Sequence, residues 1–193
     1  MTQEHRQDME GARIALPPLA PARQRRSLED RLTVRFPAGL RLVSGATMRL
    51  SPRSRLRRAL LARRIVQTYA AVNRRDFDVI LAGFDPEIEY RPSIELMPPD
   101  LETVSHGHHG FRQLWGYWMD AFANLRWDPK EIFDFGDRIL VTARQSGRGS
   151  GSGVAVSVSV FQLFTLRGGL VTRQEDFLER SQALHAAGLP NEH

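Results

Sequence analysis

Between residues 127 and 179 the chain holds four runs of alternating apolar and polar residues, near 127–135, 138–148, 153–166 and 169–179. The turn-forming stretches FGDR, GRGSGSG and RGG separate them. Period-two alternation sends successive side chains to opposite faces of a strand, and short glycine-rich connections favour antiparallel neighbours. A chain ending this way builds a sheet with one apolar face, and that face needs a cover.

The cover lies upstream. In SPRSRLRRALLARRIVQTYAAVNRRD, Ser51 is the expected N-cap and Pro52 the first helical residue; Leu61, Ala62, Ile65, Val66, Tyr69 and Val72 form an apolar stripe at spacings of three and four. Asp76 is the expected cap of a second, short helix carrying Phe77, Ile80, Leu81 and Phe84. A third helix, GFRQLWGYWMDAFANL, carries Phe111, Leu114, Trp115, Trp118, Met119, Phe122 and Leu125 in one helical series. Between the second and third, DPEIEYRPS reads as a turn and a strand with Ile88 and Tyr90 facing inward, followed by a proline-rich connection over residues 91–107 of the kind that borders binding sites. Three helices before a mostly antiparallel sheet predict an α+β fold.

Charge divides the chain. Residues 1–64 carry a net charge of +10 and residues 65–193 carry −5, and all but Lys130 of the basic residues are arginine. We expect residues 1–26, with LPPLAPA, to be disordered or extended. Residues 27–60 are expected to be a basic helical extension opened by a capping box of Ser27 with Asp30, or Glu29 nearby, and divided into two helical pieces by Pro37; residues 61–189 are the main domain, and 190–193 are a tail. An arginine-rich head is open to nucleic acid or an anionic membrane; it also suits a solvated or packing arm. The sequence has no cysteine, which removes thiolate nucleophiles, disulfides and cysteine-based metal sites. With no secretory signal pattern, a cytoplasmic setting is expected.

The helix RRIVQTYAAVNRRDFDVILAGFDPEIEY, the GHHG turn opening a tryptophan-bearing helix, and the ending RGGLVTRQEDFLERSQALHAAGL together resemble the SnoaL-like branch of the nuclear-transport-factor-2-like superfamily, over about residues 62–189. The resemblance implies a cone in which a curved sheet wraps around three helices and leaves a pocket at one end. It also implies a homodimer without a cofactor. SnoaL-like cyclases use an acidic residue for proton transfer, ketosteroid isomerases of the superfamily use a carboxylate base with a tyrosine in an oxyanion hole, and the epoxide hydrolases use an Asp-Arg-Asp set that is not recognisable in this sequence.

Candidate site residues follow from face and type. Gln162 falls on the apolar face of Val154, Val156, Val158, Val160 and Phe164, so it lines a cavity or pairs with a buried group. In the last strand Val171, Arg173, Glu175 and Phe177 share a face. If Val171 faces the core, Glu175 points inward as a candidate general base and Asp176 points away, unless a bulge intervenes. A structural ion pair with Arg144 or Arg173 is the other reading of Glu175. Tyr69, Tyr90 and His108 are candidate hydrogen-bond donors, and Trp115, Trp118, Met119, Gln162, Phe164 and Phe177 are candidate ligand contacts, with the tryptophans equally suited to ordinary core. The histidines of HGHHG cannot easily converge on one ion and no metal site is assigned; the glycine loop 147–153 lacks a phosphate-binding ending and reads as a hairpin. The expected partner is a small hydrophobic or polycyclic metabolite, handled by acid–base isomerisation, cyclisation or hydration. A ligand-sensing or protein-interaction domain is the alternative.

Overall fold

The structure is a computed structural model and describes residues 12–19, 25–93 and 104–189. Along the chain run β1 (Arg13–Ala15), α1 (Leu28–Arg35), α2 (Pro37–Arg49), α3 (Arg55–Asn73), α4 (Phe77–Leu81), β2 (Phe84–Arg91), β3 (Ser105–His106), α5 (Gly107–Ala121), β4 (Phe122–Asp134), β5 (Arg138–Gly149), β6 (Ala155–Arg167), β7 (Leu170–Phe177) and α6 (Arg180–Ala186). The seven strands make one open sheet in the order β1-β4-β5-β6-β7-β2-β3. Only the β2–β7 pair is parallel. This is the expected α+β architecture, a curved and mostly antiparallel sheet with its helical cover. Most of the connection over residues 91–107 lies outside the described residues.

Alternation along the strands sorts the core into two layers. Ile139, Val141, Ala143, Val160 and Phe164 face inward onto Leu61, Tyr69 and Val72 of α3, Ile80 of α4, and Phe111, Leu114 and Trp115 of α5. Phe133, Leu140 and Leu163 face outward and are covered by Ala183 and Leu184 of α6. Burying an apolar side chain of this size contributes roughly 1.5–3 kcal/mol, so both layers are needed to hold the sheet's curvature.

Three helix boundaries differ from the sequence expectation. Ser54, not Ser51, caps α3, because residues 51–53 close a turn in which Ser51 Oγ accepts from the Arg53 amide. Helix α4 ends at Leu81, so that Phe84 opens β2 instead of continuing the helix; Asp76 stands at the N-cap position as expected, but its side chain makes no cap bond and is held by Arg26 at 2.7 and 2.6 Å. Helix α5 stops at Ala121, and Phe122 and Leu125 belong to β4, which begins by pairing Phe122 with Gly149. Both side chains still pack against the inner core. Long-range pairing with the end of β5 outcompetes further helix there. The Ser27–Asp30 capping box forms as expected, with bonds of 3.1 and 2.8 Å.

The basic extension is packed on the body. Arg57 is buried against Asp134, with Nε and Nη2 donating to the two carboxylate oxygens at 2.7 and 2.6 Å. Its remaining donors reach the carbonyls of Met48 and Leu50 at the end of α2 and of Gly136 in the β4–β5 turn. Arg26 ties the start of α1 to Asp76 and Asp78, and Arg74, at the C-cap of α3, returns a bond to Asp30 of α1 at 2.9 Å. Within the segment expected to be disordered or extended, β1 adds to the sheet edge by pairing Ile14 with Ile132.

Replacing Arg57 by methionine leaves the Asp134 carboxylate buried and unpaired, which should lower unfolding stability by about 3–5 kcal/mol. Urea denaturation checks this, and a loss below about 1 kcal/mol would mean that the pair does not anchor the extension.

Candidate functional site

One extra residue in β7 decides which side chains enter the cone. Leu166 pairs with Val171 and Thr165 pairs with Arg173, so Thr172 is left over as a bulge. Val171 faces the core as expected, but every later residue of the strand is turned over. Gln174 and Asp176 point inward and are buried, while Glu175 stands opposite Leu163 on the outer face. The assignment of Glu175 as an inward base is therefore corrected in favour of Asp176. Phe177 is corrected for the same reason, since it packs with Phe133, Leu140 and Leu163 beneath α6 and lines no inner cavity.

Asp176 is the centre of a buried polar network. Gln162 Nε2 and Gln174 Nε2 donate to Oδ1 at 2.9 and 3.0 Å, and the Tyr90 hydroxyl donates to Oδ2 at 2.7 Å. The Tyr69 hydroxyl donates to Gln162 Oε1 at 2.6 Å. Gln162 thus pairs with buried groups on both sides, which answers why an amide occupies an apolar strand face. Five side chains from α3, β2, β6 and β7 meet at this point.

Burial dominates the electrostatics. Desolvation pushes the Asp176 carboxyl up to about 6, against the opposing pull of its bonds from Gln174, Gln162 and Tyr90. Desolvation also raises both tyrosines well above their ordinary value, with the charge of Asp176 adding to it. At neutral pH the tyrosines are neutral donors facing a carboxylate that titrates close by. A group so perturbed inside a fold is a mark of functional sites.

Tyr69 connects this network to a cavity of about 310 Å³. Leu40, Val43 and Met48 of α2 and Leu61 and Ile65 of α3 form one side; Phe164, Leu166 and Val171 of β6 and β7 form the other. The basic extension is therefore a wall of the cavity.

The structure brings Tyr69, Tyr90 and Gln162 together, and Phe164 joins Tyr69 on the cavity wall. Trp115, Trp118 and Met119 are buried in the core beside α5, where Trp115 stacks on Phe111 and lies 5.5 Å from the Trp127 ring; they do not line this cavity. His108 is not a member of the network, because its Nε2 meets the Phe84 carbonyl at 3.2 Å at the entry to α5. Gly107 makes that entry possible with a φ of 68°, as the glycine pattern of the turn suggested. Among the described residues no group of three or more His, Asp or Glu is placed to hold a metal ion. Sequence reasoning weighed Asp176 and passed over it, and it missed Gln174 altogether. An amide and a carboxylate two apart in a strand were the available signal.

The architecture and the cavity match a known domain. The profile of the SnoaL-like domain matches residues 65–174, more than half of the chain. The chain belongs to the SnoaL-like domain family. Solved structures agree on the fold. TerC co-crystallised with polyporic acid is 26% identical, covering 64% of this chain and 94% of its own with a TM-score of 0.55. A nuclear-transport-factor-2-like protein of unknown function from Burkholderia pseudomallei is 20% identical over 64% of this chain and 93% of its own, with a TM-score of 0.55. A protein of ketosteroid isomerase-like fold from Catenulispora acidiphila, in complex with trimethylamine, is 17% identical over 66% and 93%, with a TM-score of 0.51. No curated protein matches. The SnoaL-like domain begins within α3, so α1 and α2 lie outside it.

The raised carboxyl makes stability depend on pH in a stated direction. Asp176 holds its proton more tightly in the folded SnoaL-like domain than in the unfolded chain, so its contribution is fully present below about pH 4 and is lost as pH rises through about 6. The stability of wild type relative to Asp176→Asn should fall by about 2 kcal/mol between pH 4 and pH 7.5. Chemical denaturation of both proteins across that range measures it; a difference that stays flat would show that Asp176 titrates as it does in the unfolded chain.

Proposed function

We propose that this SnoaL-like domain binds a small hydrophobic or polycyclic metabolite in the cavity between the extension and the sheet, and carries out acid–base isomerisation, cyclisation or hydration on it. The observation that carries the reading is Tyr69. It is the member of the Asp176 network that lies on the cavity wall, and its hydroxyl is held by Gln162, which is held in turn by Asp176. The hydroxyl has one proton and gives it to Gln162 Oε1, so a ligand oxygen placed against it receives that proton only when the bond to Gln162 is released, whereupon it meets a neutral donor in surroundings from which water is largely removed. Such a donor stabilises negative charge developing on a carbonyl oxygen far better than water does. Asp176 acts on the ligand through its hold on Gln162, and Tyr90 through its hold on Asp176, both as positioning residues. The 26% identity to TerC, which was crystallised with polyporic acid, supports a cyclic organic ligand.

A second reading keeps the ligand and drops the reaction. All the polar bonds of the network are satisfied within the protein, as expected of a rigid cavity floor in a ligand-sensing domain. Partner subunits enter neither reading, although a homodimer remains compatible with both.

Thermal-shift screening against polyporic acid, sterols and polyketide-like aromatics tests the common part, because a bound ligand stabilises the folded state by mass action. A compound that raises the melting temperature of wild type should bind Tyr69→Phe about tenfold more weakly, the loss of one hydrogen bond. Product analysis then separates the readings. Turnover that falls in Tyr69→Phe supports the enzyme, and tight binding with no product supports the sensor. If no compound shifts the melting temperature, the small-molecule reading is wrong.

A further inference from the structure

Arg64 lies on the wall of the same cavity and lacks the partner its charge calls for. Its Nη1 donates to Gln67 Oε1 at 3.0 Å, and it makes no ion pair among the described residues. The two nearest carboxylates are already engaged. Glu29, at the rim of the cavity, is gripped by Arg63 with contacts of 3.1, 3.1 and 2.9 Å. Asp30 accepts from Arg74, Gln67 and the Ser27 amide. Burial drives the Arg64 guanidinium down to about 10, against the weaker pull of Glu29 and Asp30. A guanidinium presents five donors in a planar fork matched to a carboxylate, so most of the recognition capacity of Arg64 is unspent.

Gly83 leaves space for this placement. A Cβ at residue 83 would stand 2.5 Å from Arg64 Nη2, so the absence of a side chain there leaves room for the guanidinium beside the cavity. The rest of the wall is largely apolar, with Leu61, Ile65, Phe164 and Val171 facing the space. An apolar chamber with one unmatched cation on its wall selects a molecule of the same description and opposite charge.

We propose that the cavity takes a small apolar monocarboxylate whose carboxylate pairs with Arg64 and whose body lies along Leu61, Ile65 and Phe164. This rests on the reading of the cavity as a ligand site and names the chemical class of the ligand. Glu29 does not oppose the pairing, because Arg63 neutralises it at the rim. The side chains of α1 and α2, outside the SnoaL-like domain, enclose the ligand from the other side.

Titration calorimetry with octanoate and 1-octanol, and with 4-phenylbutyrate and 4-phenylbutanol, tests the proposal on the full chain and separates aliphatic from aromatic bodies. In wild type at least one acid should bind ten or more times tighter than its alcohol. Arg64→Gln should erase that preference while alcohol binding stays within about twofold, and Arg64→Lys should keep part of it. Gly83→Ala, which displaces the guanidinium without changing charge, should weaken the acid selectively and serves if Arg64→Gln does not fold. Equal binding of acid and alcohol by folded wild type, or a preference that survives both Arg64→Gln and Gly83→Ala, overturns the proposal and leaves the cavity reading standing. Failure of all four probes to bind also overturns the proposal, and the cavity reading is then decided by the thermal-shift screen.

Discussion

The buried pair of Arg57 and Asp134 is the contact on which the shape of this molecule turns. A single guanidinium joins the end of α2, the start of α3, the last residue of β4 and the turn that follows it. Two charges out of water are costly, and the arrangement is stable because the donors of the guanidinium and both oxygens of the carboxylate are matched. Its consequence is positional. Without it α2 has no fixed distance from the sheet, and the cavity loses the part of its wall that α2 supplies.

The second constraint is the bulge at Thr172. A regular strand would send Glu175 inward and leave Gln162 facing an arginine and a glutamate. The additional residue exchanges these for Gln174 and Asp176, whose groups complement Gln162 and Tyr90 at hydrogen-bonding distance. The energetic return on a local ladder defect is a satisfied network in the core, where an unpaired amide costs about 1–3 kcal/mol. A site that depends on one inserted residue is sensitive to register, and the inner and outer layers of β7 cannot be altered independently.

Electrostatics in this protein works on two scales. The opposed charges of head and body meet through Arg13 with Glu131, Arg26 with Asp76 and Asp78, and Arg57 with Asp134, while Arg74 of the body returns a bond to Asp30 of the head. Within the attached structure, two groups sit where their charge is disfavoured. Asp176 is drawn toward its protonated form beneath the cavity floor, and Arg64 toward its neutral form at the wall. Both are poised by desolvation first, which makes the cavity an environment in which a proton or an anion is worth more than it is in water.

Much of the fold was legible in the chain because it depends on local pattern. Alternation in residues 138–148 and in the second half of 153–166, the helical series of Phe111, Leu114, Trp115 and Trp118, the capping box at Ser27 and the break at Pro37 each follow from neighbours a few residues apart, and the structure keeps them, whereas Val154 and Val156 at the start of the second run are exposed. Gln162 was visible as an anomaly for the same reason. What the pattern cannot carry is any choice made by residues distant in the chain. The end of α5 at Ala121 was decided by pairing with β5, the release of Asp76 from its cap by Arg26, and the turning of β7 by a register shift against β6. The sequence by itself therefore determined an α+β domain with a polar residue on an inner strand and a basic arm before it. Tertiary structure alone decided that Asp176 and not Glu175 is the buried acid, that the arm is a wall of the cavity, and that Arg64 reaches it without a carboxylate. The physical reason is that inward and outward are set by which partner a strand or helix finds, and partners are found through space.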